Sequence, residues 1–177
     1  MNEPDPEELL EEIASLQGRL RSLREPLDAR IDANVKSMGG ELFDRMSADT
    51  NFAIECLNSA GYRDRVAALY ILQKNQGASE LFKLLCKRHA LCDESTVVRV
   101  HALGLLGDCY LGTNDNAVGV DCAKVVMNES EDSAVRLAAY QALIYLRDLA
   151  ADWDKCVSKL SFPDDMDWEF VKSFLKS

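Results

Sequence analysis

At 177 residues and 47% hydrophobic content, the chain suits one domain with a substantial core. Thirty acidic against 20 basic side chains give a formal net charge of -10, a field that disfavours a sequence-independent grip on nucleic acid. The six cysteines form no C-x-x-C pair, the first dozen residues carry no basic-then-apolar leader, and no window has the length of a membrane span, so a cytoplasmic protein with free buried thiols is expected.

Asp5, Pro6, Glu7 and Glu8 make a strong helix start: a capping acceptor, a ring preset for the first turn, and negative charge at the positive dipole end. Leu9, Ile13, Leu16, Leu20, Leu23 and Leu27 then follow at alternating steps of four and three, a stripe that needs something to pack on. Pro26 falls inside the stripe, removes a donor and stops or kinks the helix near Arg24. A second helix over Pro26 to Met38 uses Leu27, Ile31, Val35 and Met38 and ends at Gly39-Gly40. Residues 1–46 are thus predicted to form an N-terminal helical hairpin packing on residues 47–177.

Beyond it, the apolar spacing predicts helices over Asn51 to Ala60, Arg63 to Asn75, Ser79 to Leu91, Thr96 to Leu111, Ala117 to Asn128, Ser133 to Leu149, Trp153 to Leu160 and Asp165 to Lys176. Short breaks such as Gln76-Gly77, Asp93-Glu94-Ser95 and Gly112-Thr113-Asn114-Asp115 separate them, and no stretch shows sustained strand alternation. Pairing neighbours gives four hairpins.

Three strings superimpose without a gap: those opening at Arg65-Val66-Ala67-Ala68, at Arg99-Val100-His101-Ala102 and at Arg136-Leu137-Ala138-Ala139. Each has alanine three residues after the arginine (Ala68, Ala102, Ala139) and leucine seven after it (Leu72, Leu106, Leu143). A helical unit recurring at 34 and then 37 residues is the signature of stacked units that cannot bury their apolar faces singly. The alanines would let helices approach closely and the leucines fill the layer between them. An arginine repeated one residue into a helix reads as a ladder bonding acids or loop carbonyls of the next unit.

The acidic turn, Val98-Arg99 or Val135-Arg136, the small residue and the leucine resemble the HEAT repeat over about residues 50 to 150, most clearly at Asp132 to Leu149. Asp64 stands in place of the valine in the first unit, and Trp168-Glu169 in place of Val-Arg in the last pair, which reads as a degenerate cap. The resemblance implies an all-α superhelix, a solenoid of HEAT-like hairpins. It also reaches enzymatic relatives: iron-dependent hydroxylases with His-Glu pairs, alkylbase DNA glycosylases with a basic groove, and lyase-type proteins acting on bilins. The absence of a His-Glu pair and of a basic groove sets the first two aside.

Candidate chemistry is sparse. Cys86 and His89 share a helix face while Cys92 is turned roughly 120° away, so three ligands do not converge on a tetrahedral ion. Core cysteines and a partly exposed histidine are the expectation. No phosphate-binding, dinucleotide, nucleophile-elbow or zincin motif occurs, so no metal, cofactor or catalytic residue is assigned. Glu131-Asp132 and Asp164-Asp165 read as dipole caps at helix starts.

The expected function is therefore non-enzymatic: a scaffold or adaptor binding another protein through its inner-helix face, in the manner of an acidic immunity protein. The face is expected at offsets five, eight and nine from each arginine, with Tyr70, Gln73, Lys74, Asp108, Gln141 and Tyr145 as contacts, together with Gly104, Gly107 and Ile144. His101, which takes the slot of Ala67 and Ala138, is added to the contacts. One alternative is a structural protein that dimerises through Leu9, Ile13, Leu16, Leu20 and Leu23. Another is a lyase-type enzyme or accessory acting on a tetrapyrrole or modified base.

Overall fold

The computed structural model describes residues 40–147 and 160–176. Among the described residues there are eight α-helices and no strand: α1 (Glu41–Ala48), α2 (Thr50–Cys56), α3 (Tyr62–Gln76), α4 (Glu80–Cys92), α5 (Thr96–Cys109), α6 (Asn116–Met127), α7 (Ser133–Leu146) and α8 (Trp168–Leu175). The chain divides into two compact units, Met1–Phe43 and Asp44–Ser177. Of the first unit only residues 40–43 are described, the opening turn of α1, in which the Phe43 N–H donates to the Gly40 carbonyl at 3.0 Å. The leucine stripe, the helices expected up to Met38 and the helix expected over 153–160 lie outside the described residues, except Leu160, which is not helical.

Helix α1 goes beyond the predicted elements. Gly39-Gly40 reads as a stop in the sequence, and here Gly40, at φ 148°, stands directly before a new helix that buries Met46. The Arg45 guanidinium lies 3.7 Å over the Phe52 ring, which ties α1 to α2.

The other helices start as their sequences dictate. Asp49, Ser79, Asp115, Asp132 and Asp167 each accept backbone N–H groups of the first turn of α2, α4, α6, α7 and α8. The expected start of the last helix moves from Asp165 to Trp168. The Asp165 carboxylate accepts the Ser161 N–H at 2.7 Å and closes a turn of its own loop, leaving Asp167 to cap α8. At its other end α2 stops at Cys56, short of Ala60, and α5 stops at Cys109, short of Leu111.

Within the second unit α2 packs on α3, α4 on α5, and α6 on α7, while α3, α5 and α7 pack on one another in that order and α8 packs on α6. The aligned letters sit at one depth: Ala68, Ala102 and Ala139 are each 0% exposed, and Leu72, Leu106 and Leu143 are 0%, 1% and 0%. Those leucines supply about 1.5–3 kcal/mol of burial apiece. Close approach between α5 and α7 is built into Gly107, because a Cβ there would stand 3.2 Å from the Ala142 backbone and 3.1 Å from the Tyr145 ring. Gly119 does the same for α6 and α8: its missing Cβ is the space that the Phe174 ring occupies.

The last carbonyls of α7 are taken by the loop after α5. The Gly112 N–H donates to Tyr145 O at 3.0 Å and the Asn114 N–H to Leu146 O at 3.1 Å. Lys87 of α4 reaches Asp121 of α6, linking the two helices that precede α5 and α7.

Candidate functional site

The three aligned arginines form rungs between successive helix pairs. Arg65 is 5% exposed and engages Asp93 through two bonds, Nε to Oδ2 at 3.0 Å and Nη2 to Oδ1 at 2.8 Å. Its Nη1 donates to the Ser59 and Ala60 carbonyls at 2.7 and 3.2 Å, so the loop before α3 is fixed to the loop before α5. His89 Nδ1 lies 2.9 Å from Asp93 Oδ2, and the Ser95 N–H donates to Oδ1 at 2.9 Å. Burial pushes the Asp93 pKa up, but the bonds from Arg65, His89 and Ser95 outweigh it and hold the carboxyl below its ordinary value. Its bond to Asp93 raises the Arg65 pKa.

His89 is 6% exposed, which corrects the expectation of a partly exposed side chain: a carboxylate four residues on draws the ring inward. Its Nε2 is buried with no partner. At the second rung Arg99 Nη1 donates to Glu131 Oε2 at 2.7 Å, again across a loop, while its Nε is buried without a partner. Glu131 also accepts the Asp132 N–H, so the Glu131-Asp132 pair serves a rung and a helix cap.

The third rung differs. Arg136 Nε donates to the Val126 carbonyl at 2.8 Å, its guanidinium lies 4.4 Å over the Phe162 ring, and no carboxylate among the described residues pairs with it. Beside it opens a cavity of about 500 Å³ lined by Met127, Glu129, Arg136, Phe162, Pro163, Trp168 and Lys172. Phe162 and Trp168 meet edge to face at 6.1 Å. Sequence reasoning missed this site, because the loop before α8 holds Asp164, Asp165 and Asp167 beside Phe162-Pro163, and residue types alone do not show that a ring meets Arg136 there.

The residues expected on the inner-helix face are partly brought together. Tyr70 and His101 share a 2.7 Å hydrogen bond and an edge-on ring contact at 5.4 Å, which joins α3 to α5. Burial lowers the His101 pKa. Tyr145 packs over Gly107, which joins α5 to α7. Lys74 is exposed, while Gln73, Asp108 and Gln141 are half-buried, with Gln73 Oε1 buried and unpartnered.

Two expected groove positions are corrected. Ile144 is 1% exposed and belongs to the core, and Gly107 is buried against Ala142 and Tyr145 rather than open to a ligand. Offset eight therefore turns inward where α5 meets α7. Gly104 is the opposite case, exposed with open space where a side chain would go.

Three buried thiols are chemically quiet. Cys86 is raised well above its ordinary pKa, and Cys109 and Cys122 are pushed up to about 12, in each case chiefly by burial. Cys56 and Cys92 are also free, the first buried and the second exposed. Among the described residues no group of three His, Cys, Asp or Glu side chains is placed to hold a metal ion, and no helix is long and apolar enough to cross a membrane. No protein-family model, curated protein or solved structure matches the chain.

Proposed function

We propose that the chain is a short α-solenoid of HEAT-like hairpins that binds another protein through the exposed side of α3, α5 and α7. The supporting observation is the equal depth of the aligned alanines and leucines on three helices packed in succession, which presents equivalent offsets on one side. On that side Tyr70, His101 and Tyr145 supply rigid apolar area, while Lys74, Asp108 and Gln141 supply orientation. The negative net charge suits a basic partner and would raise the rate of its association.

The test is affinity capture with the purified chain as bait, comparing wild type with Lys74→Glu plus Gln141→Lys and with a control at exposed Leu84 of α4, Leu84→Glu. A protein held by wild type and control but lost by about tenfold in the double variant is the expected result. Equal retention by all three, with unchanged helical circular dichroism, overturns the reading.

A further inference from the structure

We propose that Arg136 and the cavity beside it bind an organic monocarboxylate with an apolar or aromatic body. This inference concerns a different place from the α3, α5 and α7 side and does not depend on that reading. At Arg65 and at Arg99 the loop preceding the next long helix delivers a carboxylate to the guanidinium, Asp93 in one case and Glu131 in the other. At Arg136 the corresponding loop delivers the Phe162 ring instead. Of that loop's three acids, Asp164 is exposed and pairs with no cation among the described residues, Asp165 accepts the Ser161 N–H and Asp167 caps α8. Arg136 thus spends Nε on the Val126 carbonyl and, among the described residues, has no carboxylate on its terminal nitrogens, which stand next to open volume.

The walls of the cavity set the class of ligand. Arg136 is the one lining cation with no carboxylate partner among the described residues, and Glu129 adds a negative charge to the wall, which suits a single carboxylate and disfavours a phosphate dianion. Lys172 is already held by Glu169 at 2.9 Å, so Arg136 is the principal cation. Its planar fork accepts both oxygens of a carboxylate. The edge-to-face Phe162 and Trp168 rings, with Pro163 and Met127, offer apolar surface for the remainder of the ligand. A volume of about 500 Å³ lies in the range of small-ligand sites and also admits the last residue of a polypeptide. Both sources share the chemistry, a terminal carboxylate beside an apolar group.

The test follows Trp168 fluorescence in full-length protein carrying Trp153→Phe, which leaves Trp168 as the only tryptophan. Four probes are titrated: phenylacetate, phenylacetamide, N-acetyl-glycyl-phenylalanine and its C-terminal amide. Saturable binding of the acids at about 1 mM or below, with the amides weaker by about tenfold, is the expected result. The better acid tells whether the natural source is a free small acid or a chain terminus.

Arg136→Gln should weaken the acids by about tenfold and leave the amides unchanged. Because Arg136 also holds the Val126 carbonyl, a second variant keeps the arginine and places an acid on the wall. Met127→Glu, at a position 37% exposed, should block the acids with unchanged thermal unfolding. Acids and amides binding alike, no binding of either acid, or acid affinity unmoved by both Arg136→Gln and Met127→Glu would each overturn the site.

Discussion

The first and third rungs use the same residue in the same register for opposite ends. Arg65 is sunk among Asp93, two carbonyls and the neighbouring His89, and both carboxylate oxygens of Asp93 are engaged. Arg136 has one carbonyl and the face of a ring, with a cavity alongside. A buried guanidinium with its carboxylate locks two loops together, whereas one that lacks a carboxylate beside open space retains binding capacity. The position in the repeat does not decide which role the arginine takes; the next loop does.

Removing the acid of the first rung should have the largest effect. Asp93→Ala leaves a buried arginine without its carboxylate and is expected to cost about 3–5 kcal/mol, read from urea unfolding. A loss below about 1 kcal/mol would place this rung with ordinary surface pairs and erase the contrast. Overpacking the layer between rungs comes next. Ala102→Leu should lower stability by about 1–3 kcal/mol, because Ala102 is fully enclosed where α5 meets its neighbours. An unchanged denaturation midpoint would deny the close packing that equal register requires.

At the second rung the side chains are 19% and 14% exposed, so water partly screens the pair. Glu131→Gln should therefore cost about 1 kcal/mol, between the first rung and Arg136→Gln. The ordering Asp93, Glu131, Arg136 in thermal unfolding tests the comparison directly.

Acid titration sharpens it further. The folded Asp93 pKa is depressed, so its contribution is fully present above the ordinary aspartate value of 3.8 and is lost as pH falls below that value through the folded one. The Asp93→Ala protein should lack this component of acid unfolding. His101 is also depressed, by burial, so the unfolded chain takes its proton first as pH falls below 6.5 and stability declines from there. His101→Ala should flatten that part of the curve. The smallest effect is expected from Tyr70→Phe, which removes one hydrogen bond at the α3 to α5 contact and should cost about 1 kcal/mol or less.

Spacing along the chain was enough to foretell the helical character of the described residues, the places of most breaks, and the depth of the aligned alanines and leucines. Each of these rests on spacing within a turn or two, and on caps such as Asp115 and Asp132 that act on their own first turn. Helix packing was needed to settle which arginine receives an acid, that His101 meets Tyr70, that Gly107 belongs to Ala142 and Tyr145 rather than to a ligand, and that Phe162 and Trp168 wall a cavity. The partners that join helices stand some thirty residues apart, 28 for Arg65 with Asp93 and 32 for Arg99 with Glu131, and side chains at that separation meet only after the helices have packed.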